Sequence, residues 1–168
     1  MTATSWPWSI VEMKIVSRDL LNQLTDSART SPRLRKNHNL HLTGESRCHR
    51  LLNAIEPASY IRPHRHIDPE KDETFILIRG RLGILLFSDT GEVTETVTLS
   101  HQDGIPAADI PSGVYHTLVS LETGTVFFEA KAGPYLPLSE AETAAWAPSE
   151  GDGSAAQYLE QLRLLLDS

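Results

Sequence analysis

Three histidines and a glutamate lie at spacings that would bring their side chains together. His64 and His66 are separated by one residue, so in a strand both imidazoles point to the same face. Glu73 opens the apolar run after a turn-rich segment, and His116 follows the turn Pro111-Ser112-Gly113. Imidazole and carboxylate are common ligands of divalent transition metals. These four residues predict a metal site, where a bound water or substrate would be open to polarisation.

Short strands are the elements predicted to position these residues. From residue 50 onward, runs rich in apolar and β-branched residues alternate with turn signals such as Asp89-Thr90-Gly91. Leu82–Phe87 and residues 92–99, joined by that turn, form a predicted hairpin. Regular short strands of this kind are typical of an antiparallel barrel or sandwich.

Helices are predicted at both ends. Ser17 is placed to cap an N-terminal helix that Pro32 would end, and Ser139 and Glu142 form a capping box for a short C-terminal helix. A second C-terminal helix is predicted from an apolar stripe: Tyr158, Leu159, Leu162, Leu165 and Leu166. The predicted organisation is an N-terminal helical extension (1–45), a barrel (46–136) and a C-terminal helical segment (137–168), all in one compact domain.

The order HxH, Glu, Gly and then PxGxxH resembles the two motifs of the cupin superfamily. The phrases NHNLH (37–41), RLLNAI (50–55), DETFILIRG (72–80) and FEAKAGPY (128–135) resemble the WbuC family of small cupin metalloproteins, over roughly residues 20–148. The resemblance implies an all-β fold with flanking helices: a single cupin barrel, also called a double-stranded β-helix or jelly roll, with an N-terminal helix and C-terminal helices. It also implies a setting in bacterial O-antigen biosynthesis, but fold analogy does not fix a reaction.

The carboxylate ligand has two candidates. The gap of six residues between His66 and Glu73 is longer than in the common cupin pattern, so Glu70 is a rival. Glu73 is preferred because Gly80 follows it at the motif spacing, and because it shares a strand face with Phe75.

The metal and the ligand-binding residues are predicted more coarsely. Three imidazoles and a carboxylate suit one divalent ion, whether zinc, iron, manganese, nickel or copper. Candidate substrate-binding residues are His41 and Arg50, in phrases that carry the resemblance, Arg62, on the strand face of His64, and Glu129, which shares a face with Lys131. The sequence assigns no catalytic residue.

Composition excludes several classes of function. With 168 residues and a formal net charge of −7, the chain lacks the basic excess of general nucleic-acid binders. No apolar run approaches the roughly 20 residues of a membrane span, and the N-terminus lacks the pattern of a signal peptide, so a soluble cytoplasmic protein is expected. Strand edges and apolar helix stripes predict a homodimer.

Two functions fit these observations. The favoured one is a metal-dependent enzyme of isomerase, epimerase or oxygenase type, acting on a small polar molecule such as a sugar or nucleotide-sugar. The alternative is a non-catalytic cupin that binds a sugar or other small ligand as a sensor or accessory protein.

Overall fold

Two antiparallel sheets face each other in the computed structural model, which describes residues 13–166. The five-stranded sheet has the order β1-β2-β8-β3-β6, and the three-stranded sheet has the order β5-β4-β7. The elements are α1 (Arg18–Thr30), β1 (Arg35–Asn39), β2 (Cys48–Ile55), β3 (Glu73–Arg79), β4 (Leu82–Phe87), β5 (Val93–Leu99), β6 (Ala107–Ile110), β7 (Tyr115–Ser120), β8 (Thr125–Ala132) and α2 (Ala155–Leu164).

The apolar core between the sheets is built from alternate residues of facing strands. Phe75 and Phe127 of the large sheet pack in one cluster with Ile84 and Leu118 of the small sheet. The residues between them point outward, where a helix covers all or part of each sheet. This is the cupin barrel with flanking helices that the sequence predicts.

Helix α1 covers the β1, β2 and β8 part of the outer face of the large sheet. The Ser17 side chain accepts a hydrogen bond from the Leu20 N–H at 3.2 Å, as the predicted N-cap requires. Leu24 and Ala28 then pack against Leu52 of β2. The helix ends at Thr30, two residues before Pro32.

Helix α2 covers the outer face of the small sheet. Leu159 and Leu162 are buried against Leu85 and Val119, which explains why β7 is buried along its whole length. One face of β7 packs on α2 while the other meets the barrel interior. The described residues contain no helix long and apolar enough to cross a membrane.

Two local predictions are wrong. Residues 35–39, placed in the N-terminal helical extension, form the strand β1, which pairs antiparallel with β2. Their polar sequence, RKNHN, lacks the alternation that marks a strand, because β1 is an edge strand with little buried surface. The pairing partner, rather than local sequence, determines this element.

The helix predicted after Ser139 is a turn. Both the backbone N–H and the hydroxyl of Ser139 donate to the Glu142 carboxylate, at 2.9 and 2.8 Å, so one of the two capping-box contacts, from the Ser139 N–H to Glu142, forms without a helix. Thr143 instead makes an isolated bridge with His64, which requires extended backbone. Within residues 13–166, the C-terminal part therefore has one helix, α2.

Candidate metal centre

His64 and His116 are brought together by backbone pairing. Their segments exchange two hydrogen bonds, from His64 N–H to His116 C=O at 3.0 Å and from His116 N–H to His64 C=O at 2.8 Å. The two ring centroids lie 4.7 Å apart, and the His66 centroid lies 5.6 Å from that of His64. The segment before β3 and the start of β7 thus place three imidazoles in one group.

Glu73, the first residue of β3, supplies the carboxylate at this place. Its side chain is buried, with Oε1 at 3.1 Å from His66 Nε2 and Oε2 at 2.8 Å from His116 Nε2. The rival Glu70 is exposed in the turn before β3. Geometry therefore selects Glu73 as the carboxylate beside the histidines.

The outer nitrogens of two rings are held by backbone carbonyls. His64 Nδ1 lies 3.1 Å from the Arg62 carbonyl oxygen, and His116 Nδ1 lies 3.0 Å from that of Val114. A neutral ring that donates through Nδ1 has an unprotonated Nε2, which is the form that binds a metal. Burial, with a smaller effect from His116, lowers the pKa of His64 to about 3, so this ring is neutral at physiological pH.

Two of the atoms that converge at the centre have no hydrogen bond of acceptable geometry. His66 Nε2 and Glu73 Oε2 are buried and unpaired among the described residues, although each has a polar neighbour nearby. Close contact between a carboxylate oxygen and an unprotonated imidazole nitrogen is repulsive unless a cation or proton lies between them. Since one ligating atom from each of His64, His66 and Glu73 lies within 4.8 Å of the others, the group is compatible with a metal ion.

Lys131 is part of this centre, a role that the sequence did not predict. Its Nζ lies 2.8 Å from Glu73 Oε1 and 2.7 Å from Glu129 Oε1. β8 pairs with β3 so that Lys131 stands directly opposite Glu73. The sequence pattern shows that Lys131 shares a strand face with Glu129. It does not show that β3 pairs with β8, which is what brings Lys131 to Glu73.

The charged side chains at this centre shift the pKa values of Glu73 and Lys131. Burial opposes ionisation of Glu73, but contacts with His116 and His66, which stabilise the carboxylate when a proton lies on the facing nitrogen, and the Lys131 ammonium outweigh it and hold the pKa of Glu73 well below its usual range. Burial also opposes the charge on Lys131, but the carboxylates of Glu129 and Glu73 raise its pKa above the ordinary value. The carboxylate of Glu73 is therefore ionised and Lys131 is cationic at neutral pH.

A cavity of about 860 Å³ opens beside the histidines. Three of the four predicted substrate-binding residues line it: His41, Arg62 and Glu129. Arg50 is exposed on the opposite face of β2 from Leu51, which does line the cavity.

The three predicted residues that line the cavity differ in the contacts that they make within the protein. Arg62 donates through Nε and Nη2 to the Ala144 carbonyl oxygen, at 3.0 and 2.6 Å, so its guanidinium holds the C-terminal segment. Glu129 accepts from Asn53 at 2.8 Å in addition to pairing with Lys131. His41 is buried and stacked on His49, with the ring centroids 4.1 Å apart.

One protein-family model matches half of this chain. A family model described as a domain of unknown function, DUF6016, matches residues 16–99. No curated protein matches the sequence.

Solved structures are similar in fold. A conserved protein of unknown function from Streptococcus pyogenes gives a TM-score of 0.51 at 15% identity, covering 80% of this chain and 100% of that one. KdgF from a Halomonas species gives a TM-score of 0.47 at 17% identity, covering 61% of this chain and 82% of that one. A cupin superfamily protein from Desulfitobacterium hafniense gives a TM-score of 0.45 at 10% identity, covering 58% of this chain and 76% of that one. At these identities the likeness concerns the fold alone.

Proposed function

We propose that this chain, which belongs to the DUF6016 family of domains of unknown function, is a metal-dependent cupin enzyme that acts on a small polar molecule. The observation that carries the proposal is a pair of buried polar atoms at this centre that have no hydrogen-bond partner. His66 Nε2 and Glu73 Oε2 are unpaired in the described structure and face the same centre. A buried polar atom without a partner is costly, and a bound cation would remove that cost.

The proposed ligands are His64, His66, Glu73 and His116, for one divalent ion such as zinc, iron, manganese, nickel or copper. When bound, such an ion polarises an oxygen of a substrate or water. The protein's own residues orient the ligands: the carbonyls of Arg62 and Val114 fix two of the rings. Lys131 fixes one oxygen of the carboxylate.

The cavity beside the histidines is the proposed substrate-binding site. Its volume of about 860 Å³ falls within the range of small-molecule sites, about 300–1,000 Å³. Phe75 and Leu118 contribute apolar surface at its inner end, where they help to exclude water from the histidines. His41, Arg62 and Glu129 offer polar groups to a ligand, and this role is part of the proposal.

The finer assignment rests on the resemblance to WbuC-type cupins. We propose a cytoplasmic enzyme of O-antigen or polysaccharide biosynthesis, with a sugar or nucleotide-sugar substrate and an isomerase, epimerase or oxygenase reaction. A cavity of about 860 Å³ is large enough for a monosaccharide.

A specific observation supports the alternative of a non-catalytic binding protein. General acid–base catalysis needs a side chain free to exchange a proton with the substrate. Glu129 is already paired with both Lys131 and Asn53, and Glu73 faces the histidines and Lys131. Glu129 is thus engaged by the protein and Glu73 is a proposed metal ligand, so neither carboxylate is free to exchange a proton with a substrate, which suits a sensor or accessory protein that binds a sugar.

Metal analysis followed by a substrate screen tests the proposal. Protein purified without a chelating tag should contain about one divalent ion per chain, and His64→Ala should lose most of it. Turnover of a sugar or nucleotide-sugar that also disappears in His64→Ala would support the enzyme, whereas metal-dependent binding without turnover would support the sensor. Equal metal content in the wild type and His64→Ala would contradict the metal centre.

A further inference from the structure

The cavity beside the histidines is positively charged in a protein that is strongly negative overall. The formal net charge of the chain is −7. Among residues 13–166, five cationic side chains nevertheless line the cavity: Arg33, Arg35, Lys36, Arg62 and Lys131. Three carboxylates of the same described residues line it, those of Glu73, Glu129 and Glu150, so the arginines and lysine ammoniums exceed the carboxylates by two positive charges. A cleft of one sign concentrates ligands of the other sign.

Most of these cations are already engaged by the protein. Arg33 and Arg35 share the carboxylate of Glu150, at 3.0 and 2.5 Å. The Arg62 guanidinium holds the Ala144 carbonyl. Lys36 is exposed at the rim. Lys131 is the cation that reaches the candidate metal centre.

The Lys131 ammonium keeps one donor for a ligand. An ammonium has three N–H groups. Glu73 Oε1 and Glu129 Oε1 each lie within hydrogen-bond distance, which accounts for two of them. The side chain is one-fifth exposed toward the cavity, so the third remains accessible to a small molecule.

The charge balance at the centre favours an anion once a metal ion is present. Glu73, Glu129 and Lys131 together carry one negative charge. A divalent ion would turn this into one positive charge in a largely buried setting, where uncompensated charge is costly. A ligand with one negative charge would neutralise it.

We infer that the cavity takes a small molecule bearing an oxyanion, a carboxylate or a phosphate, and that Lys131 is the residue that recognises this group. The inference rests on the proposed metal centre and names the class of its ligand. The oxyanion would lie between the metal position and the Lys131 ammonium, which are both next to Glu73. A charge-assisted hydrogen bond of this kind stabilises the complex more than a neutral one does.

Three small probes of similar size test the inference on the full chain loaded with cobalt(II). Glycolate carries a carboxylate, inorganic phosphate carries the other oxyanion, and ethylene glycol is the uncharged match for glycolate. Isothermal titration should show at least one anion binding about tenfold or more tightly than ethylene glycol, the ratio expected for a hydrogen bond to a charged group. Comparison of glycolate with phosphate distinguishes the two oxyanions.

Two variants complete the design. Lys131→Met should lose the preference for the anion while it retains cobalt, which a general loss of structure would not produce. Arg81→Met removes one positive charge from the exposed β3–β4 turn and should retain both properties.

Elemental analysis of the same samples separates the possible failures. Cobalt bound without any anion preference, or an equal preference in Lys131→Met, would overturn this inference alone. A wild type that takes up no cobalt would overturn the proposed metal centre and this inference with it.

Discussion

The carboxylate of Glu73 faces two imidazoles and one ammonium. His66 and His116 approach it through Nε2, at 3.1 and 2.8 Å, and Lys131 approaches Oε1 at 2.8 Å. The ammonium satisfies one oxygen, whereas the contacts with the imidazoles lack hydrogen-bond geometry and leave Oε2 unpaired. Glu73 is therefore the residue at which the histidines and the cationic side of the cavity meet.

Glu73→Gln should lower metal affinity by more than about tenfold, because even groups that only orient a metal ligand contribute about 10- to 100-fold. Glu70→Gln is the matched control, since it removes the same charge from an exposed turn. Titration of metal-free protein with zinc against a competing chelator measures both. Equal losses in the two variants would reject Glu73 as the ligand.

His64 predicts a pH dependence for the metal-free protein. Burial lowers its pKa in the folded state from 6.5 to about 3, so below pH 6.5 the unfolded chain binds a proton that the folded chain does not. Stability is therefore lost as pH falls from 6.5 toward 3. Between pH 7 and pH 5 the free energy of unfolding should fall by up to about 2 kcal/mol, from about 1.36 kcal/mol per pH unit.

Urea denaturation at pH 7, 6 and 5 in the presence of chelator measures this loss. His64→Gln cannot take up the proton and should show a flatter pH profile over the same range. Parallel profiles for the wild type and His64→Gln would assign the pH dependence to other groups.

Elements differ in how far local sequence determines them. The hairpin of β4 and β5 was predictable because the turn at Gly91 and the strand patterns lie within one short segment. Gly80 also has a local requirement: its φ is +84°, and an added Cβ would collide with Thr125. β1 was not predictable, because its strand form depends on pairing with β2 across a loop.

The same distinction explains what was missed at the candidate site. The HxH spacing and the PxG turn place the histidines in strand-like segments, so their grouping was predictable. The contact between Lys131 and Glu73 depends on β3 pairing with β8, 58 residues along the chain, which no local pattern reveals.

The Ser17 cap of α1 gives a prediction for the stability of a single element. Ser17→Ala removes the side chain that accepts from Leu20 N–H and should lower the free energy of unfolding by about 1 kcal/mol. Ser27→Ala is the control, since Ser27 is exposed within the helix and its hydroxyl only donates to the Gln23 carbonyl. Chemical denaturation compares them, and a loss in Ser27→Ala as large as in Ser17→Ala would contradict the capping role.

The apolar core of the described structure does not depend on the candidate metal centre. The cluster between the sheets, which includes Phe75, Leu77, Ile84 and Phe127, is apolar and complete without an ion. Removal of a bound metal should therefore lower stability without unfolding the barrel.

Chelator treatment of metal-loaded protein should lower the melting temperature by about 5–10 °C. A ligand present at 100 times its dissociation constant stabilises the folded state by about 2.7 kcal/mol, and each kcal/mol corresponds to about 2–4 °C in a chain of this size. Differential scanning fluorimetry measures the shift, and circular dichroism should show the β-structure retained. His64→Ala should show little shift, and a shift equal to that of the wild type would place the metal elsewhere.

Association is the second property expected of the whole molecule. Ile76 and Ile78 on the outer face of β3 are more than one-third exposed, as is Ile105 before β6. Apolar surface on a sheet near a short edge strand favours pairing with a second copy. Light scattering after size exclusion should give twice the chain mass of 18.6 kDa. A mass that stays at one chain across micromolar concentrations would contradict the homodimer.

The bridge between the His64 segment and residues 142–144 ties the histidines to a distant part of the chain. Arg65 N–H donates to the Glu142 carbonyl at 2.8 Å, and Ala144 N–H donates to the Pro63 carbonyl at 3.0 Å. Arg62 and Ala144, which are also joined, are 82 residues apart in the chain. Closing a loop of this length costs conformational entropy, as does the pairing of β2 with β8, whose partners Cys48 and Ala132 are at least as distant in the chain.

The position of His64 therefore depends on docking of the C-terminal segment as well as on its pairing with His116. An ion that recognises this arrangement would bind the native chain in preference to the unfolded one. We expect such an ion to slow the opening of the native chain. In this fold a bound metal would stabilise the docked C-terminal segment together with the histidines.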